Sequence, residues 1–191
     1  MRKSREESAR TRRRVVQAAS AEFRRNGVDG TGLADLMAAA GLTHGGFYKH
    51  FESKDQVVAE SLALAAESMV ETIGRVLRAS PGKRGVHAAI AAYLSTKHRG
   101  DAAGGCPFAA LGSEMARGSD AVRGAATTGF LKMVETIAGR LDGMSPAAAW
   151  KEALFMLSAM IGAVTMARMV TDPDLSETIL RQARKRLTRS S

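Results

Sequence analysis

The sequence predicts an all-helical protein with about nine helices. Strict alternation of apolar and polar residues, which is typical of half-buried strands, is rare, and aromatic residues make up only 5% of the 191 residues. Good helix formers such as Ala, Leu, Met, Glu, Arg and Lys are abundant, and clusters of Gly, Pro and Ser separate the segments with helical periodicity. The predicted helices span residues 7–26, 33–40, 44–51, 56–79, 86–99, 107–117, 120–141, 146–170 and 175–187.

The first two predicted helices have well-marked inner faces and ends. Val15, Ala19 and Phe23 recur every four residues and form one apolar stripe. Gly27 follows two arginines at the position where a helix commonly ends in the left-handed conformation. The second helix has its own inner face, which includes Leu36, and it follows the turn 29–31.

A third, short helix is predicted directly after Gly41, with Thr43 as its N-cap. A helix, a turn containing glycine and a second helix form the arrangement in which the second helix enters the DNA major groove. Phe47 and Phe51 are four residues apart and are expected to pack inward. The residues expected on or beside the outer face are His44, Gly45, Gly46, Tyr48, Lys49 and His50.

These outer residues are suited to DNA contact. Lys and Tyr side chains bond phosphate oxygens, His donates to a phosphate or a base edge, and paired glycines permit close approach of the backbone. In the alternative interpretation, Gly45 and Gly46 form a loop and the polar side chains belong to an ordinary surface.

Residues 31–51, followed by Glu-Ser-Lys-Asp at 52–55, resemble the DNA-binding domain of TetR-family regulators. That pattern ends in an aromatic pair, one variable residue, His-Phe, and then Ser-Lys and an acid. Residues 14–23 and Gly27 fit the upstream part of the pattern. Gly32 departs from it, because the family commonly has Ser or Thr there, so a hydroxyl for capping or phosphate contact is missing.

The resemblance implies a helix-turn-helix DNA-binding domain at residues 1–53 and a ligand-binding and dimerisation domain at 54–191. It implies a transcriptional regulator, by default a repressor, that binds a palindromic double-stranded DNA operator as a homodimer and is released by a small effector. Base or backbone readout is implied near Thr43, His44, Gly45 and Gly46. Phosphate contacts are implied for Tyr48, Lys49 and His50, with Lys54 near the DNA backbone.

The uncharged run 153–167 mixes large apolar residues with Ala, Gly and Ser, so one side of this helix can approach a partner helix closely. Together with 175–187, it lies where the family usually builds a two-fold four-helix interface. The alternative interpretation is an internal core helix. At 15 residues, the run is shorter than the roughly 20 that a membrane-spanning helix needs, so no membrane partner is predicted.

The family implies an effector that the sequence does not identify. Large apolar side chains that pack adaptably are candidates for lining its pocket, although such residues are more often simply core. The candidates are Met69, Phe108, Met115, Phe130, Met133, Trp150 and Phe155.

Cys106 precedes Pro107 at a predicted helix start, where free backbone donors and the helix dipole would favour a thiolate. Some TetR-type regulators with a cysteine at a similar Gly-Cys turn respond to electrophiles, so an electrophile or redox sensor is an alternative function. The other interpretation is a small, inert cap beside Phe108.

The charge distribution favours a polyanionic partner. The formal net charge is +9, and seven of the first 14 residues are Arg or Lys. Among these, Arg10, Arg12, Arg13 and Arg14 are predicted to form a flexible arm that contacts the DNA backbone or minor groove, with a solubilising tail as the alternative. The basic termini alone also fit a non-specific architectural DNA-binding protein.

An enzyme is not predicted. The four histidines, His44, His50, His87 and His98, lack metal-binding spacing, and no phosphate-cradling glycine loop or nucleophile with an evident base is present, although scattered partners can still assemble in a folded chain. No metal or cofactor is therefore expected. The single cysteine excludes an intrachain disulfide, and the N-terminal region has no apolar signal segment, so a cytoplasmic protein is expected.

Overall fold

A computed structural model describes residues 2–190, and these residues form helices without any β-strand. This confirms the all-helical prediction. The α-helices are α1 Arg2–Asn26, α2 Leu33–Ala39, α3 Lys54–Arg78, α4 Gly82–Tyr93, α5 Thr96–Gly100, α6 Pro107–Ala116, α7 Asp120–Ala138, α8 Pro146–Met169 and α9 Pro173–Ser190, with a 3-10 helix at His44–Lys49 between α2 and α3.

The chain divides into two compact units. Unit 1 comprises the residues up to Ala65 together with Ala102–Thr128, and unit 2 comprises Ala66–Asp101 together with the residues from Gly129 onward. Unit 1 therefore contains α1, α2, the 3-10 helix and also α6, which packs against α1. The functional boundary after residue 53 stays a prediction.

The core of unit 1 follows the predicted stripe on α1. Val15, Ala19 and Phe23 are all buried. Gly27 adopts a φ of +79°, and its N–H donates to the Phe23 carbonyl at 2.8 Å, which closes the helix as predicted. The helix begins at Arg2 rather than at residue 7. It includes residues 10–14, which agrees with the predicted helix 7–26, so the flexible arm predicted at the same arginines is wrong. Arg, Lys and Glu are good helix formers and extend the helix toward the N-terminus.

The single helix predicted at 86–99 is two helices in the structure. Leu94 leaves the helical conformation with ψ of 39°, and Ser95 becomes the N-cap of α5. The Ser95 hydroxyl accepts the backbone N–H of His98 at 3.1 Å. A serine cap inside the periodic segment thus starts a new helix, because it offers the free backbone donors a side-chain partner.

Arginines join the short helix α5 to the rest of unit 2. The Arg168 guanidinium donates to the carbonyls of His98, Arg99 and Asp101 at 2.9 to 3.2 Å, which satisfies acceptors at the end of α5. Arg99 donates to the buried Ser176 hydroxyl at 2.6 Å. Burial lowers the pKa of His98, although its hydrogen bond to the Tyr93 carbonyl opposes the shift.

Helix α8 packs most extensively against α9. Among residues 2–190, it is the one helix long and apolar enough to cross a membrane by length and composition. The core helix of a soluble protein passes the same test, and buried α8 side chains such as Met156, Leu157 and Val164 belong to the core of unit 2.

Candidate nucleic-acid interface

The turn between α2 and the 3-10 helix requires glycine at position 41. Gly41 has a φ of +67°, in the left-handed region. Its N–H donates to the Ala38 carbonyl, and the Leu42 N–H donates to the Met37 carbonyl, both at 2.8 Å. This pair of hydrogen bonds is a Schellman motif, which satisfies the last carbonyls of α2 and sets the direction in which the chain leaves the helix.

Gly32, the one departure noted in the sequence pattern, is the N-cap of α2 in extended conformation. It has no hydroxyl to offer, but its N–H donates to the Asp35 carboxylate at 3.1 Å. This is the acidic half of a capping box, so the start of α2 keeps one of its two usual hydrogen bonds.

The predicted helix at 44–51 is a 3-10 helix that ends at Lys49. The Gly46 N–H donates to the Thr43 carbonyl, and the His50 N–H donates to the Phe47 carbonyl, three residues back in each case. Thr43 is the N-cap as predicted, but its side chain makes no capping hydrogen bond. Six residues with two glycines provide little intrinsic stability for an α-helix, and short 3-10 helices are the usual result.

The inner face of the 3-10 helix consists of aromatic rings. Phe47 is fully buried and Phe51 is 2% exposed, which confirms their predicted orientation. Their ring centroids lie 5.5 Å apart, and the Tyr48 ring meets Phe47 edge to face at 5.1 Å. Phe47 therefore anchors the 3-10 helix to the core of unit 1.

The outer face presents the predicted DNA-contacting residues to solvent. Thr43, His44, Gly45 and Lys49 are exposed, Gly46 is half-buried, and the Tyr48 side chain is 70% exposed. A Cβ added to Gly45 would meet no atom within 4 Å. The structure thus offers at one surface a cation, a phenol, an imidazole and a bare stretch of backbone.

His50 and Lys54 have partners within unit 1. His50 is half-buried, and its Nδ1 lies 3.4 Å from the Ser8 hydroxyl. The Lys54 ammonium donates to the Val28 carbonyl at 2.6 Å, so it holds the turn between α1 and α2. An ammonium has three donors, so this hydrogen bond leaves Lys54 able to contact a phosphate as well. The phosphate contact of Lys54 stays a prediction.

Two arginines of this surface make contacts that sequence reasoning missed. Arg12 donates to the His50 carbonyl and pairs with Glu60, and Arg14 donates to the Ala40 carbonyl at 2.6 Å. The available signal was the position of Arg12, one helical turn before the buried Val16 on the apolar side of α1.

Glu114 of α6 is the third missed residue. Its carboxylate accepts a hydrogen bond from the Val28 N–H at 2.8 Å. The carbonyl of the same residue, Val28, accepts a hydrogen bond from Lys54. At the other end of α6, Arg24 donates to the Gly105 carbonyl at 3.1 Å. No local sequence signal connects α6 to a turn some eighty residues earlier.

Cys106 is the N-cap of α6 with Pro107 at the first helical turn, as predicted. Its side chain is fully buried. Reactive cysteines are partly exposed, so this burial favours the packing interpretation, while the sensor role stays a prediction.

A small apolar cavity of about 10 Å³ lies within unit 2, which is about the volume of one water probe. It is lined by Ile73, Leu77, Val86, Ala89, Ile90, Tyr93, Ile137, Met156 and Met160.

None of the seven residues predicted for the effector pocket lines this cavity. Phe108 and Met115 are buried in unit 1, while Met69 and Met133 are buried and Phe130 is half-buried in unit 2. Trp150 and Phe155 are 39% and 60% exposed. Composition identifies large apolar side chains but not the direction in which each one points.

Two family profiles match the sequence. Residues 15–61 match the profile described as bacterial regulatory proteins of the tetR family. Residues 82–185, more than half of the chain, match the profile described as the C-terminal domain of LmrA/YxaF-like transcriptional regulators.

The chain belongs to the TetR family. Members of this family are DNA-binding transcriptional regulators and not enzymes, so this chain is a DNA-binding transcriptional regulator. A solved structure of a TetR transcriptional regulator from Chloroflexus aurantiacus is 30% identical, with a TM-score of 0.78, and the match covers 99% of this chain and 96% of that one.

Curated relatives of this TetR-family chain are similar over different lengths. The regulator TtgR of Pseudomonas putida is 38% identical over 80 residues, which covers 42% of this chain and 36% of that protein. An HTH-type transcriptional regulator of Mycobacterium tuberculosis is 28% identical over 184 residues, covering 92% of this chain and 93% of its own length. This chain therefore spans only about a third of the first relative but nearly all of the second.

Proposed function

We propose that this TetR-family regulator is a cytoplasmic repressor that binds a palindromic operator as a homodimer and is released by a small effector. The observation that carries the DNA-binding part is the outer face of the 3-10 helix, where His44, Gly45, Tyr48 and Lys49 are exposed above a buried Phe47. Repression by occluding a promoter needs no surface for polymerase, so it is the simpler mode of regulation.

Within this interface, Tyr48 and Lys49 provide affinity and His44 provides base choice. A lysine is a point charge that neutralises phosphate, and a phenol hydroxyl bonds a phosphate oxygen, so neither depends strongly on sequence. An imidazole at the start of the 3-10 helix can donate to a base edge in the major groove. The net charge of +9 favours the approach to DNA.

The surface of α8 supports the homodimer. Phe155, Ser158, Gly162, Met166 and Met169 recur every three or four residues and are all exposed. On this face, large apolar side chains flank the small residues Ser158 and Gly162. The same face of a second copy can therefore pack closely against it. Leu175 is a further exposed apolar side chain, at 46% exposure, on α9, the helix that packs against α8.

The effector is proposed to occupy unit 2 at the apolar cavity. Tyr93 is its only lining residue with a polar side-chain group, and Met156 and Met160 are flexible enough to repack around a ligand. The cavity must enlarge when the effector binds, because its present volume holds about one water.

The burial of Cys106 favours such a reversible ligand over covalent modification. Equal operator release by a mild electrophile from the wild type and Cys106→Ser would exclude the sensor.

Lys49→Ala is expected to weaken binding to every DNA sequence. It should also reduce the slope of log affinity against log salt concentration by about one unit, because one phosphate contact is lost. His44→Ala is expected to change the preferred bases instead. The measurements are affinities at several salt concentrations and selection from a pool of random duplexes. An unchanged salt slope in Lys49→Ala would refute its phosphate role, and wild-type protein that enriches no sequence would indicate a non-specific architectural protein.

Gly45→Ala is expected to weaken operator binding by about 1 to 3 kcal/mol, because the added methyl group occupies space that the DNA backbone needs. The fold should tolerate it, since no atom lies within 4 Å of the new Cβ. Affinity and the free energy of unfolding are measured together. Gly112→Ala on α6, where the added Cβ also has open space, is the matched control and should bind normally. Normal operator binding by Gly45→Ala would show that DNA does not approach this backbone closely.

A further inference from the structure

The guanidinium of Arg12 joins three elements of unit 1. From α1, its Nη1 donates to the carbonyl of His50, which is the C-cap of the 3-10 helix. Its Nη2 donates to the Glu60 carboxylate on α3. Its Cζ lies over the Phe51 ring, 4.3 Å from the ring centroid. One side chain thus makes a carbonyl contact, an ion pair and a cation–π contact.

The 3-10 helix needs such an external restraint. Its six residues include Gly45 and Gly46, which contribute little backbone stiffness. Phe47 and the packing of α2 hold this helix against the core. Neither contact restrains the carbonyl of the C-cap residue His50, which is the group that Arg12 binds. Arg12 holds the far end through the last carbonyl, and Ser8, on the same side of α1, approaches the His50 ring at 3.4 Å.

The neighbouring arginine provides a contrast. Arg13 is exposed and has no partner among the residues whose side chains are described, whereas the Arg12 side chain is 32% exposed and its donors point to protein acceptors. Adjacent residues with the same charge therefore face different environments. Arg13 is free to act as a phosphate contact, and Arg12 is committed to the protein.

We propose that Arg12, supported by Glu60, is a positioning residue that sets the orientation of the 3-10 helix and thereby its choice of bases. This inference rests on the proposed sequence-specific binding. Because Arg12 acts through the helix rather than on phosphate, its loss should reduce discrimination between sequences without removing a contact between the protein and a phosphate.

The test compares Arg12→Gln, Glu60→Gln and the matched control Arg13→Gln in the full-length protein. The DNA probes are a duplex selected by the wild type from a random pool and an unselected duplex of equal length. Arg12→Gln is expected to lose about tenfold in affinity for the selected duplex, with little change on the unselected one and an unchanged salt slope.

Glu60→Gln separates the positioning effect from a direct effect of charge on DNA binding. Removal of an acidic charge by itself strengthens the attraction to DNA, yet positioning predicts weaker binding to the selected duplex. The double variant of Arg12→Gln and Glu60→Gln should lose no more affinity for the selected duplex than Arg12→Gln alone, since both residues act through one contact. Arg13→Gln should keep the ratio between the two duplexes.

Hydrogen exchange of residues 44–51 in the DNA-free protein provides a readout that does not depend on the operator. Arg12→Gln is expected to accelerate exchange in this segment, and Arg13→Gln is not. Unchanged exchange in Arg12→Gln, or equal losses on both duplexes with a flatter salt slope, would overturn the proposal. Wild-type protein that selects no duplex would refute the proposed function, while the exchange result would still decide whether Arg12 fixes the helix.

Discussion

Phe47→Ala is expected to lower the free energy of unfolding of unit 1 by about 3 to 5 kcal/mol and to abolish operator binding at growth temperature. Phe47 is fully buried and is the ring through which the 3-10 helix reaches the core. Its removal leaves a cavity beside Phe51 and detaches the surface that is proposed to contact DNA. Native-state hydrogen exchange of α1 and α2 measures the loss within unit 1 itself.

Tyr48→Ala is the matched control for this prediction, because Tyr48 is the adjacent aromatic residue and is 70% exposed. It should leave the unfolding free energy nearly unchanged while it weakens binding to all DNA sequences. If Phe47→Ala and Tyr48→Ala destabilise unit 1 equally, Phe47 is not the anchor. Full operator affinity in a folded Phe47→Ala protein would contradict the assignment of the 3-10 helix to DNA binding.

Gly162→Gln is expected to convert the proposed homodimer to a monomer and to reduce operator affinity about a hundredfold or more, since a monomer engages only one half-site. Within the chain, no atom lies within 4 Å of a Cβ added at Gly162, so the fold of the protomer should be unaffected. Between two copies of α8, the larger side chain would prevent close approach at the centre of the exposed apolar face. Sedimentation gives the mass, and footprinting gives the number of half-sites protected.

Gly124→Gln on α7 is the matched control, because it also introduces a glutamine at an open helical glycine. This variant should remain dimeric and bind the operator normally. A dimeric Gly162→Gln protein would place the interface elsewhere. A wild-type monomer that protects a single half-site would refute the dimer itself.

Local signals in the sequence predicted the N-terminal helices well. The stripe of Val15, Ala19 and Phe23 predicted the buried face of α1, and Gly27 and Gly41 predicted two of the turns, because helix periodicity and left-handed caps depend on residues close in the chain. The inward orientation of Phe47 and Phe51 followed from their spacing. The same local reasoning failed at residues 86–99, where a serine cap starts a second helix within a periodic segment.

Contacts between distant residues were not predictable in this way. The sequence predicts a flexible arm at Arg12 and gives no sign of its partners His50 and Glu60, which lie 38 and 48 residues later in the chain. Glu114 likewise reaches Val28 across 86 residues and makes α6 part of unit 1. The lining of the cavity in unit 2 depends on which side of each helix faces inward, and large apolar residues such as Phe155 lie on exposed faces instead.

The sequence by itself therefore determined the family, the helical class, the position of the segment proposed to contact DNA and the residues on its two faces. Only the tertiary structure decided that this segment is a 3-10 helix, that Arg12 holds its end, and that α6 joins the N-terminal unit. The physical reason is the range of the interactions. Helix propensity, capping and amphipathic spacing act between near neighbours, whereas a guanidinium finds its acceptors only after separate helices have packed together.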